Sequence, residues 1–464
     1  METKKVFLCI AALGISVAAF SQKVTVDPSS EVGPIKNMNS VGGTPWSSVS
    51  SDKYAALNIP LARTHDMGRA NIPGSIDIRN IFPDFSKDEN DPASYEFSIT
   101  DFALAKLIAT GTKPLYRLGN THEPSNDGKV KKYGSWPPED FAKWARVCEH
   151  IVRHYNDGWA DGFHYGIEYW EVWNEADLDQ YHKYNGVPRW KVAPHAWGGS
   201  IEQYYDLFET TWKHLKETHP DIKVGGPAFA EFRSNEPFVR EMKKRGVKPD
   251  FYSWHRYSNT PEILSEESDK IRAVLDKYDW KDVPTILDEW NYVTGWTPKD
   301  GAYSKAVRRS MKGSAYTAAV MCHMQDRPSI DIMMYYDFRY NSSYNGAFNP
   351  ATGAETSTYY AFHNWNKLAQ YGTQVKVTTD RNDLYAVAAK NADGRVRLLV
   401  SRFRDHDDPW EPDIKLKVTL PEGCKEVICT LNDDEHLNTE VPVNVVDGIV
   451  TVVMKPFSFV FFQF

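Results

Sequence analysis

Between Asn37 and Trp365 the chain alternates short apolar runs with amphipathic helical stretches, and this alternation narrows its fold more than any other feature. Runs near 37–43, 59–65, 113–119, 169–174, 222–228, 250–256, 284–289 and 331–337 read as buried strands, the clearest of them rich in β-branched and aromatic residues. The segments between them carry a helical period. Phe141, Trp144, Ala145, Cys148, Ile151, Val152 and Tyr155 fall on one face, and Ile201, Tyr205, Phe208, Trp212 and Leu215 on another. Pro137-Pro138-Glu139-Asp140 opens the first of these helices with residues that favour a helix N-terminus. Eight strands in strict alternation with helices predict an α/β chain closed into a (β/α)8 TIM barrel over residues 37–365, not an open sheet.

The texture changes after Asn366. Ile414, Leu416, Val418 and Leu420 alternate with Lys415, Lys417 and Thr419, the pattern of a half-buried strand. Similar runs recur near 383–390, 395–402, 425–431, 448–454 and 457–463, separated by turn pairs such as Asp393-Gly394 and Asp447-Gly448. Residues 366–464 therefore predict a C-terminal antiparallel β-sandwich. A strand within 22–36, beginning Lys23-Val24-Thr25-Val26-Asp27, is available to join it.

Residues 1–21 read as a signal peptide: Lys4 and Lys5 precede an apolar run from Val6 to Phe20, and Ala19-Phe20-Ser21 resembles a cleavage site. The run is short for a membrane span, so the expectation is export to the periplasm or medium without membrane insertion. Of the remaining cysteines, Cys148 and Cys322 lie on apolar helical stripes, and Cys424 and Cys429 are too close along one strand region to bridge easily. Neither an essential disulfide nor a zinc site is expected. The formal charge of −8 without a basic block gives no surface for a phosphate backbone, so nucleic acid is not expected as a partner. Oligomeric state is left open.

The aromatic content is high, with 15 Trp and 25 Tyr, which suits a cleft that packs rings against sugar faces. Polar residues gather where the strands end. The second strand leads into Arg63-Thr64-His65-Asp66, the third into Asn120-Thr121-His122-Glu123 and the fourth into Asn174-Glu175. The sixth ends in His255-Arg256-Tyr257, the seventh in Asp288-Glu289-Trp290-Asn291 and the eighth in Tyr336-Asp337. In an α/β barrel that end carries the chemistry. Glu175 and Glu289, on the fourth and seventh strands, are candidates for acid/base and nucleophilic work on an acetal. The nucleophile must stay ionised, which needs cations or donors beside it, and Arg63 and Tyr257 are placed to supply them. The acid needs a raised pKa, which a neighbouring negative charge provides.

The segments Pro137–Trp144, Tyr169-Trp170-Glu171-Val172-Trp173-Asn174-Glu175, Val224-Gly225-Gly226-Pro227, Asp250–His255 and Ile286-Leu287-Asp288-Glu289-Trp290 resemble glycoside hydrolase family 39. That family comprises retaining glycosidases on (β/α)8 barrels, among them β-xylosidases and α-L-iduronidases. The resemblance implies Glu175 as acid/base, Glu289 as nucleophile, Asn174 on the hydroxyl next to the anomeric carbon, and His65, His255 and Tyr257 in the sugar site. It implies no cofactor, a carbohydrate substrate and a β-xylosidase-like activity. The chain reads Ala176-Asp177 and Trp254-His255-Arg256-Tyr257 where the better-known xylosidases carry proline-containing patterns. Arabinosides, glucosides, galactosides and iduronides therefore stand beside xylosides as substrates.

Other readings of the same residues stand beside these. Glu175 alone could cap a helix, and Glu171, on the same strand parity, reads as a buried partner of Arg63 or Arg117. His65, His122 and His255 could ligate a metal, although no ligand spacing supports a site and none is expected. Trp290 and Trp296 follow the nucleophile and are expected to line the subsite beyond it. The loop His182–Gly199 is either an ordinary packed loop or a wall of the cleft. A function of another class, a glycan-binding barrel without catalysis, differs from the enzyme only in what the two glutamates do.

Overall fold

The computed structural model describes residues 22–43, 48–67, 76–122 and 134–464; the proposed signal segment and Glu123 lie outside them. Eight parallel strands close a barrel: Asn37–Gly42, Leu61–Arg63, Lys113–Leu118, Tyr169–Val172, Lys223–Phe229, Tyr252–His255, Thr285–Trp290 and Ile332–Tyr336. Each falls where the sequence pattern places it. We number them one to eight.

The barrel interior is layered by the two-residue period of its strands. Leu61, Leu115, Phe251, Ile286 and Met334 form an apolar plug at one level. Two residues further along the same strands come Arg63, Arg117, Ser253, Asp288 and Tyr336, all buried. The chain thus sets a polar layer directly on the plug. Close packing below it depends on Gly225, where a Cβ would come within 2.5 Å of the Phe251 carbonyl oxygen.

Outside the barrel, the helix Phe141–Asn156 turns Trp144, Cys148, Ile151 and Tyr155 inward as its period requires, with Asp140 capping its first turn by accepting from the Lys143 N–H at 2.9 Å. The helix Met311–Gln325 is buried almost all round because it lies between the barrel and a second sheet. That sheet has ten strands and curls on itself. Its N-terminal strand, Gln22–Pro34, pairs antiparallel with Thr373–Thr379 and parallel with Ile414–Thr419, so the segment ahead of the barrel does complete the tail domain.

Alternation serves this sheet twice. Leu398, Val400, Val460 and Phe462 face its own interior with Val24, Leu416 and Val450. Leu399, Phe459 and Phe461 face the other way, into the barrel's core. Each such buried side chain contributes about 1.5–3 kcal/mol, which ties the two units together. The last barrel helix, Ser357–Ala369, runs past Asn366, and the tail's own first strand begins at Thr373.

Candidate active site

The carboxyl ends of the strands open into a cleft of about 490 Å³ whose walls include His65, His122, Glu175, His255, Tyr257, Glu289 and Trp296. A larger, shallower hollow of about 940 Å³ lies between Phe85, Trp136 and Trp190. The smaller cleft is the one that holds both candidate carboxylates.

Simple strand alternation explains the backbone at neither glutamate. On the fourth strand, Trp173 takes φ 74° and Glu175 φ 47°, left-handed conformations that cost non-glycine residues on the order of 1 kcal/mol or more. The Trp173 N–H donates to the Leu118 carbonyl at 2.6 Å and the Glu175 N–H to the Ala228 carbonyl at 3.0 Å, which holds the kink. Trp173 is thereby turned out against Trp144 and Trp197, and Asn174 and Glu175 both turn inward. On the seventh strand a bulge does the same work. Leu287 pairs with Trp254, but the next paired residue is Glu289 with His255, so Asp288 and Glu289 both reach the interior.

Arg63 is the hub of one half of the site. Fully buried, it donates from Nη1 to Glu289 Oε1 at 2.7 Å, from Nη2 to Asn174 Oδ1 at 2.7 Å and from Nε to Glu171 Oε2 at 2.6 Å. Asp288 Oδ2 lies 3.0 Å from the same Nε. Tyr257 donates to the other Glu289 oxygen at 2.6 Å. Burial raises the Glu289 pKa and the charge of Glu175 adds to it, against the pull of His255, Arg63 and the Tyr257 hydroxyl. Glu171 is pushed up to about 8 by burial and Asp288 in spite of Arg63.

Glu175 is held differently. His255 Nδ1 donates to its Oε1 at 2.8 Å, and His122 Nε2 lies 2.9 Å from its Oε2. Burial alone would raise the Glu175 pKa, but the hydrogen bonds and charges of the two histidines hold it well below the ordinary carboxylate range. His122 in turn is pushed up to about 9 despite its desolvation, chiefly by Glu175. The proton of this arm therefore resides on imidazole, one hydrogen bond from the carboxylate. The raised pKa expected at Glu175 thus lies on its imidazole partner instead.

His65 stays neutral: burial and the nearby Arg117 and Arg63 lower its pKa against the effect of Asp66. Its Nδ1 accepts from Arg117 Nε at 3.1 Å, so its proton is on Nε2, which faces Asp66 and Glu289 at 3.5 and 3.9 Å. Arg117 binds Asp77 at 2.6 Å, which leaves Glu171 to Arg63.

Arg63, His65, Asn174, Glu175, His255, Tyr257 and Glu289 thus meet in one place. Trp290 does not. It follows the bulge, faces outward and is fully buried against Tyr335 and Tyr316, so it lines no subsite. Trp296 lies in the cleft wall, 72% exposed and edge-on to Tyr257. The loop after the fourth strand is both packed and part of the cleft wall. Buried Asp179 accepts the N–H groups of His195, Ala196 and Trp197, while His182 and Arg189 face the cleft. Tyr336 and Tyr344 complete the wall; Tyr336 was visible as a strand end, whereas nothing in the loop sequence around Tyr344 marks it.

Among the described residues, Glu175, His255 and Glu289 have donor atoms close enough to share a metal, within 4.8 Å of one another. His255 is already hydrogen-bonded to Glu175, and Glu289, Asp288 and Glu175 raise its pKa well above the ordinary value against its burial. A metal would have to displace that proton.

A family model described as glycosyl hydrolases family 39 matches residues 22–441. The chain belongs to that family. It is a glycoside hydrolase, and its substrate is a carbohydrate. A β-xylosidase of Caldicellulosiruptor saccharolyticus is 22% identical over 383 residues, 74% of this chain and 71% of that protein. A β-xylosidase of Geobacillus stearothermophilus is 25% identical over 274 residues, 53% of this chain and about half (48%) of the relative. Among solved structures, a glucosidase from Croceicoccus marinus superposes with a TM-score of 0.73 at 22% identity, covering 96% of this chain and 99% of that one. A monomeric β-xylosidase from Caulobacter crescentus gives 0.69 at 17% identity with the same coverage. These likenesses establish the barrel-plus-sandwich fold of this family 39 hydrolase. No helix among its described residues is long and apolar enough to cross a membrane.

Proposed function

We propose that the protein is an exported, retaining exo-glycosidase of β-xylosidase-like specificity that works by double displacement. The observation that carries the mechanism is the closeness of the two glutamates: one oxygen of Glu175 lies within 4.8 Å of one of Glu289. Retaining enzymes separate their carboxyl groups by about 5–5.5 Å, whereas inverting ones need about 6.5–9.5 Å to admit a water.

In the first step a Glu289 oxygen attacks the anomeric carbon as the glycosidic C–O bond breaks. The leaving oxygen takes a proton from Glu175, which draws on the proton shared with its histidines. In the second step Glu175, now a base with His122 and His255 beside it, removes a proton from water. The resulting hydroxide attacks the anomeric carbon and releases Glu289. Donors with no proton to lose at neutral pH, Arg63 and Tyr257, surround Glu289, as a nucleophile requires. Arg63 orients Asn174, and we assign Asn174 to the hydroxyl next to the anomeric centre.

Two relatives described as β-xylosidases favour a terminal pentose, and the apolar run before Gln22 favours export. Proton NMR of the first-formed sugar tests the mechanism: retention of the anomeric configuration is expected, and an inverted product removes the assigned roles. A screen of nitrophenyl xylosides, arabinosides, glucosides, galactosides and iduronides tests the sugar, with the xyloside expected fastest.

A further inference from the structure

The loops that follow the sixth and seventh strands, just past Tyr257 and Glu289, are joined to each other beyond the cleft. The Ser258 N–H donates to the Asn291 carbonyl at 3.2 Å, and the Val293 N–H donates back to the Ser258 carbonyl at 3.1 Å. A residue of the tail domain grips both. Asp405 follows the strand Val396–Arg402; its Oδ2 accepts from Asn259 Nδ2 at 2.5 Å and its Oδ1 from the Tyr292 hydroxyl at 2.7 Å. Asn259 lies two residues after Tyr257, and Tyr292 three after Glu289.

Lys312, at the start of the helix between the two units and 7% exposed, fixes the carboxylate in turn. Its Nζ lies 2.7 Å from Asp405 Oδ1 and donates to the His406 carbonyl at 2.8 Å and to Asp407 at 3.0 Å. Tyr303, on the helix that follows Trp296, donates to Asp407 at 2.7 Å. A nearly buried ammonium needs this carboxylate nearby, because an unpaired charge there is costly.

We infer that Asp405 is a positioning residue for catalysis: from the tail domain it clamps the loops after the sixth and seventh strands and so sets the Tyr257–Glu289 hydrogen bond. The clamp acts through Asn259 and Tyr292 and touches neither sugar nor carboxylates of the cleft. It gives the β-sandwich a part in the reaction without a glycan-binding role. The inference rests on Glu289 being the nucleophile.

The test compares D405A, Y257F and the double variant of the full chain on the nitrophenyl glycoside that the wild type turns over fastest. D405A is expected to lower kcat about tenfold, the scale of small misplacements at a reacting centre, with KM little changed. Its acidic limb of kcat/KM should move to higher pH, because the Tyr257 hydroxyl helps keep Glu289 ionised. In the Y257F background the effect of D405A should largely vanish. Losses that multiply independently, or a lowered Tm with unchanged kinetics, would overturn the clamp. Should D405A fold poorly, N259A, which frees only one arm, must show the same non-additivity. A crystal structure of either variant decides the point even without turnover: Tyr257 still bonded to Glu289 as in the wild type sinks the inference. An inactive wild type, by contrast, counts against the glycosidase reading itself.

Discussion

Glu289 and Glu175 face each other across one cleft and are held in opposite ways. Around Glu289 the donors are Arg63 and Tyr257, buried in the barrel mouth, and neither gives up a proton at neutral pH. Around Glu175 both partners are histidines, and one of them, His122, has a side chain 36% exposed to the cleft. The first arrangement stabilises a fixed negative charge; the second stores a proton beside a carboxylate and lets it move. Burial raises the pKa of both carboxyls, so the difference between the arms comes from the partners.

The largest consequence of that difference lies in the two alanine variants. E289A should lose activity by on the order of 10⁶-fold on every substrate, the scale seen when a nucleophile is deleted. E175A should lose roughly 10²–10⁴-fold on natural glycosides and much less on a nitrophenyl glycoside, whose leaving group needs little protonation. Added azide should rescue E175A with a retained glycosyl azide as product. Equal losses for both variants on the activated substrate would erase the distinction between the arms.

Next in size is Arg63. Its removal leaves Glu171, Asp288 and Glu289 gathered around a missing cation. Breaking a buried ion cluster from one side costs about 3–5 kcal/mol, so R63M should show that loss in urea unfolding besides its loss of turnover. A cost under about 1 kcal/mol would mean that Glu171 and Asp288 already manage without it, and that the rigid arm is less rigid than its geometry implies.

The other arm should answer to pH. The pKa of folded His122 stands at about 9 against an ordinary 6.5. Its contribution to stability is therefore fully present below pH 6.5 and is lost as the pH rises through 9. H122N should flatten the stability profile in that window. It should also move the basic limb of kcat/KM to lower pH, since the arm loses its proton store, while the acidic limb set by Glu289 changes less. An unmoved basic limb would place the proton elsewhere.

How much of this can be read from the chain follows from two physical periods. The barrel's strands, the helical faces and the tail's alternation are local patterns, and each appears where periodicity puts it. The barrel's polar layer is legible too, because Leu61 to Arg63 and Ile286 to Asp288 are steps of two along strands. The site departs from the pattern where backbone geometry breaks the period. Parity alone would turn Trp173 inward with Glu171, and only the left-handed turn at Trp173 sends Asn174 and Glu175 into the cleft together. The bulge before Glu289 likewise sends Trp290 out of the cleft that its position in sequence suggests. Pairings across the closure of the barrel, such as Tyr336 with Asp66, depend on the eighth strand meeting the first and have no sequence signature.

The smallest effect separates the two tryptophans that follow the nucleophile. Trp296 is exposed at the mouth and leans edge-on against Tyr257, with ring centres 5.5 Å apart. Aromatic contacts of this kind contribute about 0.5–1.5 kcal/mol, so W296A should raise KM for oligosaccharides severalfold and leave kcat and Tm nearly unchanged. Trp290 packs between Tyr316 and Tyr335 with no exposure. Emptying such a site costs about 3–5 kcal/mol, so W290A should destabilise the fold, with KM changing only as far as the strand shifts. If W290A instead raised KM at unaltered stability, the outward turn after the bulge would be wrong, and with it the account of how Glu289 comes to face Glu175.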